Sequence, residues 1–130
     1  MKKMAFLVVC AVAIIAVAGC ASMQTATTLN DQKISAADAN VAHINGDNWG
    51  VYVLWFPILT GDTSKPGSIA IMKDTVNVPS VVDMVTNKSK EHGGTKTLDL
   101  VSSRSSMPVF WFIIPIVSLK FVEVSGNSVK

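Results

Sequence analysis

The chain has 130 residues with 11 basic and 9 acidic side chains, a net charge of +2, and a single arginine. This weak, mixed charge excludes the basic patch with which proteins bind nucleic acid. Both cysteines lie within residues 1–20, so the rest of the chain has no catalytic thiol, no disulfide and no cysteine ligand for zinc.

Residues 1–19 have the pattern of a secretory signal peptide. Lys2 and Lys3 give a positive start, and residues 4–17 are almost wholly apolar. A relaxed membrane-spanning helix needs about 20 residues, so this run favours a cleaved signal over an uncleaved N-terminal anchor, which is the alternative.

Val17, Ala18 and Gly19 directly precede Cys20. This run resembles the lipobox of bacterial lipoproteins, in which a branched residue and two small ones precede a cysteine, although Leu is more frequent at the place of Val17. The resemblance covers the leader only. It implies cleavage after Gly19, diacylglycerol on the Cys20 sulfur and a further acyl chain on the new amine.

The residue after the cysteine bears on the destination. Lipoproteins retained in the inner membrane of enteric-type bacteria typically carry Asp there, whereas this chain has Ala21. The resemblance therefore favours the outer membrane, with the domain facing the periplasm. Two or three acyl chains anchor a protein durably. Cleavage also removes Lys2 and Lys3, which leaves nine basic residues against nine acidic ones.

The remainder is predicted to form a tether and one small domain. Residues 20–48 are rich in Ala, Ser, Thr, Asn and Asp, which indicates a lipidated N-terminus and tether. The folded domain is then expected over residues 49–130. Within it, residues 49–59 (WGVYVLWFPIL) predict a strand buried on both faces, residues 60–68 a turn, and residues 69–76 a second, antiparallel strand.

A helix is predicted over residues 78–92. Ser80 and Asp83 have the spacing of a capping box. Gly93 and Gly94 supply a stop, and one of them is expected to take a left-handed conformation.

The last part of the chain predicts two further strands, over residues 95–101 and 109–124, separated by a polar turn at residues 102–106 (SSRSS). The predicted fold is α+β, with one helix packed on a mostly antiparallel sheet of about four strands. The order of helix, glycine pair and strand resembles that of small envelope lipoproteins of the Rcs stress-sensor kind, although their disulfide cysteines are missing here.

Two aromatic segments resemble each other, residues 54–58 (LWFPI) and 110–116 (FWFIIPI). They are predicted to form neighbouring strands with Trp55 and Trp111 mostly buried, because a small sheet must bury its large side chains. The alternative is an exposed surface for a partner or a lipid surface. The surface would then comprise Trp55, Phe56, Trp111 and Phe112.

No catalytic, metal or cofactor site is predicted. His43 and His92 lack further ligands at metal-binding spacing. Residues 61–67 (GDTSKPG) have the wrong order for a phosphate-binding loop, and Pro66 lacks an amide hydrogen. We expect a non-enzymatic envelope lipoprotein that binds a protein partner or supports envelope structure. The alternatives are a small-ligand or envelope-stress sensor and an envelope hydrolase.

Overall fold

The computed structural model describes Met4 and residues 21–29, 32–33, 40–109 and 116–130. The strands in these parts are β1 (Ala21–Ala26), β2 (Thr28–Leu29), β3 (Gln32–Lys33), β4 (Asn40–Val53), β5 (Phe56–Gly61), β6 (Ile69–Ile71), β7 (Lys96–Val109) and β8 (Val117–Val129), and the helix is α1 (Val78–Glu91). Met4 apart, the predicted signal peptide lies outside the described residues.

The central strand of the sheet is β4. Its six-stranded sheet has the order β6-β5-β4-β8-β7, with β1 as a further partner of β4, while β2 and β3 form a separate pair. Along one edge of β4 runs β8. The other edge is shared by β1, which pairs residues 43–48, and β5, which pairs residues 50–53. One helix on a mostly antiparallel sheet is confirmed, but the prediction of about four strands is wrong.

The missing strands lie in the segment that composition assigned to the tether. Strand β1 and the first nine residues of β4 belong to the sheet, so the prediction that the folded domain begins at Trp49 is wrong. Along β4 the small or apolar residues Ala42, Ile44 and Gly46 are buried, and polar residues between them point to the other face. Because buried residues alternate with polar residues on the other face, this segment forms a strand although its overall composition is polar.

The predicted turn at residues 102–106 is also wrong, because these residues lie inside β7 and pair with β8. At the edge of the described sheet, every residue from 101 to 108 is exposed. Polar serines are compatible with a strand there, since neither face has to be apolar. The composition of residues 102–106 alone indicates a turn, and only their pairing with β8 shows that they form a strand.

The helix α1 covers one face of β4 and β8. Val81, Met84 and Val85 are its buried apolar residues. Gly46 permits the close approach, because a Cβ there would stand 2.8 Å from Val85 Cγ2 and 2.9 Å from Met84 Cε. The helix therefore packs directly on the backbone of the central strand.

The ends of α1 test the capping predictions. The N-cap is Asn77, whose side-chain oxygen accepts a hydrogen bond from the Ser80 amide at 2.9 Å, so the predicted capping box of Ser80 and Asp83 is wrong. Asn is a preferred N-cap residue because its short side chain reaches the orphan amides. After the helix, Gly93 has a φ of 79°, which confirms a left-handed glycine at this end.

A buried polar cluster holds the connection between β5 and α1 against β4. Asn48 Nδ2 donates to the Thr75 carbonyl oxygen at 2.8 Å, and the Thr75 hydroxyl donates to the Gly61 carbonyl oxygen at 2.5 Å. The Thr60 hydroxyl donates to the Lys73 carbonyl oxygen at 2.7 Å. These bonds position residues 72–75 beside the sheet.

Candidate functional site

One row of paired residues crosses five strands and is apolar throughout. Val51 on β4 pairs with Leu59 on β5 and with Leu119 on β8. Leu59 in turn pairs with Ile71 on β6, and Leu119 pairs with Met107 on β7. Directly paired residues project from the same face of a sheet. The row therefore forms an apolar stripe on the face opposite α1.

The neighbouring rows widen this stripe. Trp49 stacks on Phe121 with 6.4 Å between ring centroids, and Val53 pairs with both Phe56 and Val117. We call the resulting surface the apolar face; it consists of Trp49, Val51, Val53, Phe56, Leu59, Ile71, Met107, Val117, Leu119 and Phe121. Ile71 is 70% exposed, Met107 60% and Phe56 57%. Contiguous apolar exposure on this scale marks an interaction surface more often than an isolated exposed side chain does.

The same face becomes polar on the other side of Trp49. Asp47 pairs with Glu123 in the next row. Ser22 donates to Asp47 Oδ1 at 2.6 Å, and Asn45 donates to Glu123 Oε1 at 2.9 Å. The face is thus divided by a boundary between Asp47 and Trp49, with carboxylates and amides on one side and apolar side chains on the other.

The turn between β4 and β5 extends the apolar surface beyond the sheet. Its residues Leu54 and Trp55 are 50% and 71% exposed, so the prediction that Trp55 is mostly buried is wrong. The Leu54 amide donates to the Ile116 carbonyl oxygen at 2.5 Å, which places the turn beside the start of β8. A ring at a hairpin turn has no second layer to pack against.

Two exposed apolar residues at this end have a left-handed backbone. Leu54 has a φ of 57° and Met72 a φ of 55°, and Met72 is 75% exposed. The Met72 amide donates to the Ile58 carbonyl oxygen, so both residues belong to the same end of the sheet. A residue with a Cβ pays about 1–2 kcal/mol in this region. Such strain is concentrated at functional sites.

The structure places only part of the predicted surface. Trp55 and Phe56 lie exposed at this end, whereas Trp111 and Phe112 are outside the described residues, as are Val17, Ala18, Gly19 and Cys20. The residues that flank the aromatic segments, Val53 and Val117, are paired neighbours.

Sequence reasoning missed Ile71, Met107 and the β8 residues Leu119 and Phe121. For the β8 residues the sequence did contain a signal, because Val117, Leu119 and Phe121 alternate with Ser118 and Lys120 as in a strand with one apolar face.

On the opposite face of the sheet, toward α1, the residues beside Val51 and Val53 are polar or charged. The Tyr52 hydroxyl donates to Asp74 Oδ1 at 2.6 Å, and the Lys120 ammonium lies 3.8 Å from the centroid of the Tyr52 ring. Burial and the hydrogen bond to the Asp74 carboxylate raise the pKa of the Tyr52 hydroxyl well above its usual range. Tyr52 therefore stays neutral and holds the segment that carries Met72.

Apart from the apolar face, the surface has a concave region between β1, the loop at residues 63–67 and α1. It is an open groove of about 550 Å³, with Met23 and Met84 beside Ser22, Asn87 and Lys88 among its lining residues. Its lining mixes apolar and polar groups, as small-ligand sites do.

Neither histidine is among the residues that line this groove, and the two have different surroundings. His43 Nδ1 lies 2.9 Å from Asn127 Oδ1 on the polar part of the sheet, and His92 is the C-cap of α1. Within the described ranges, no group of three or more His, Cys, Asp and Glu side chains is arranged to hold a metal ion.

Comparison with models of protein families, with curated proteins and with solved structures finds no match to this chain. In the part of the chain that the structure describes, no helix has the length and apolar character needed to cross a membrane.

Proposed function

We propose that this chain is a lipid-anchored bacterial envelope protein that acts by binding rather than by catalysis. The anchor is lipid on Cys20, in the outer membrane rather than the inner, with the domain facing the periplasm. The lipobox resemblance at Val17, Ala18 and Gly19 supports the anchor. The apolar face is the observation that carries the binding role, because four of its ten neighbouring apolar residues are exposed and six are half-buried, and an occupant would remove this surface from water.

Anchoring is tested by metabolic labelling with a radioactive fatty acid. The wild-type chain is expected to incorporate label and to sediment with membranes, whereas Cys20→Ser is expected to remain an unlabelled precursor. The matched control is Ser22→Ala, which leaves the lipobox intact and is expected to be labelled normally. Label in the Cys20→Ser variant would contradict the assignment of the anchor.

Binding is tested by the accessibility of single cysteines in intact envelopes. Phe56→Cys and Ile71→Cys lie on the apolar face, and Ser103→Cys is an exposed control on its polar side. If the face is occupied, a water-soluble maleimide reacts more slowly at positions 56 and 71 than at position 103. Equal reaction at all three positions would show an unoccupied face and would contradict the binding role.

The groove beside β1 supports a second candidate function, a small-ligand sensor module. This candidate predicts that a ligand stabilises the folded state by mass action and raises the melting temperature. Met84→Ala would widen the groove and weaken such a response, while the control Trp55→Ala, remote from the groove, would leave it unchanged. A screen of envelope extracts that produces no shift would remove this candidate.

A further inference from the structure

The apolar face has about the size of one half of a dimer interface. It crosses five neighbouring strands, which span about 19 Å from β6 to β7, and it runs about 13 Å along β4 from Trp49 to Val53. Ile69 extends it, because this residue is 37% exposed and projects from the same side of β6 as Ile71. One fully exposed large side chain presents about 150–250 Å², so the exposed parts of these residues amount to roughly 700 Å². Each partner contributes about 800 Å² to a standard interface.

The charges around the apolar face favour a neutral, apolar occupant. Among the described residues, its paired rows contain no ionisable side chain. On this side of the sheet the charges begin one row further, with the carboxylates Asp47 and Glu123. Arg104 and Lys120 project to the other side, toward α1. Carboxylates at the border repel an anionic lipid surface, whereas an uncharged apolar patch is complementary to a second copy of itself.

Two aligned arrangements with two-fold symmetry place one open face on another. If the axis ran along the strands, the acidic row of Asp47 would lie over the acidic row of the second copy. If the axis crosses the strands along the row of Val51 and Leu119, the strands of the two sheets are antiparallel. The row of Val53 then faces the row of Trp49 in the second copy, and the polar halves project beyond opposite ends of the contact. The second arrangement joins apolar rows without opposing like charges.

We propose that the apolar face is a homodimer interface, in which two copies pack sheet on sheet about a two-fold axis along the row of Val51 and Leu119. The proposal rests on the proposed binding role of the apolar face, names its occupant and does not depend on lipid at Cys20. Two packed sheets lie about 10 Å apart, so each copy covers the open side of the other. The two copies of α1 then lie on the outer sides of the dimer.

Two positions on β7 distinguish this arrangement from others. Met107 and Ser103 are both exposed and project from the same side of the strand. Met107 pairs with Leu119 and lies in the row of the axis, so its two copies face each other across the interface. Ser103 lies four residues away, about 13 Å from the axis along the strand, so its two copies are about 26 Å apart.

The test is cysteine crosslinking of the full-length chain in intact envelopes. Met107→Cys and Ser103→Cys are expressed singly, treated with a short bismaleimide and separated on denaturing gels. The chain without an introduced cysteine is the control for Cys10 and Cys20. We expect at least about fivefold more crosslinked dimer at position 107 than at position 103, because the reagent reaches across the about 10 Å between two packed sheets but not across 26 Å.

A pair of lysine variants tests the same interface by disrupting it. Ile71 lies in the row of the axis and is 70% exposed, so Ile71→Lys places two like charges close together across the interface. In the Met107→Cys chain this change should reduce the crosslinked dimer at least about tenfold. The control is Ser102→Lys, which adds the same charge at an exposed residue of β7 that pairs with the buried Val124 and therefore projects toward α1. It should leave the crosslink unchanged.

Four results would overturn the inference, and the maleimide reaction at positions 56 and 71 separates them from a failure of the binding role. Equal crosslinking at positions 103 and 107 shows random collision and removes the dimer. No crosslink at 107, with slow maleimide reaction at 56 and 71, leaves the binding role standing and identifies a different protein or a lipid surface as occupant. A crosslink at 107 that survives Ile71→Lys contradicts the axis along this row. No crosslink, with fast maleimide reaction at 56 and 71, removes the binding role and the dimer together.

Discussion

The contact between Gly46 and α1 provides a prediction that depends on a few atoms. In Gly46→Ala the new Cβ would stand 2.8 Å from Val85 Cγ2, well inside the contact optimum of about 3.5–4.0 Å between carbon atoms. Overpacking of this kind costs about 1–3 kcal/mol of the free energy of unfolding. Val85→Ala removes two buried methyl groups and leaves a cavity, which costs about 2–3 kcal/mol.

The double variant is expected to cost much less than the sum of the two single variants. Val85→Ala removes the atom with which the new methyl collides, and that methyl then occupies part of the space that Val85 vacates. The expected coupling is about 1–2 kcal/mol in favour of the double variant, within the range found for contacting residues. Met84 Cε also lies close to the new methyl, but it is the end of a flexible side chain that can move aside.

The measurement is urea denaturation of residues 21–130 produced without the leader, followed by circular dichroism. The control pairs Gly46→Ala with Val81→Ala, because Val81 Cγ1 would lie 3.5 Å from the new Cβ, an ordinary contact. That pair should show much weaker coupling than the Val85 pair, because shortening Val81 relieves no collision with the new methyl group. Additivity in the Val85 pair would refute the conclusion that Gly46 sets the distance between α1 and β4.

The other predictions concern caps, burial and pH. Asn77→Ala should lower the free energy of unfolding by about 1 kcal/mol in urea denaturation, whereas Ser80→Ala should have little effect, because only the amide of that residue is used. Gly93→Ala should cost about 1 kcal/mol through its positive φ alone, since nothing lies within 4 Å of the added Cβ. The raised pKa of Tyr52 means that the unfolded chain loses this proton first, so stability should decline above pH of about 10, and Tyr52→Phe should weaken that decline in denaturation curves at pH 8–11. Trp55→Ala should change stability by less than about 0.5 kcal/mol, measured by thermal melting, because the ring is exposed.

The parts of the fold that local patterns encode were predicted correctly. The helix is found where Val81 and Val85 and the glycines that follow indicate it, because a helix is built from neighbours in sequence. Strand β1 and the first half of β4 were missed, since their burial alternates with polar residues and requires pairing partners far along the chain. The serines of β7 were assigned to a turn for the same reason. Amino-acid composition therefore does not predict these strands, because their place in the sheet depends on pairing with residues far along the chain.

The candidate site shows the same limit in a sharper form. Residues 49–53 read as a nearly continuous apolar run, which predicts burial on both faces. In the structure Tyr52 is buried under the segment that precedes α1, while Val51 and Val53 point to the face that α1 does not cover. Which face stays open depends on the side of the sheet that the helix takes after β6. The two aromatic segments of the sequence suggested a docking surface as an alternative. The boundary between the polar part of the face at Asp47 and its apolar part at Trp49 cannot be found in the sequence, because it depends on the pairing of five strands.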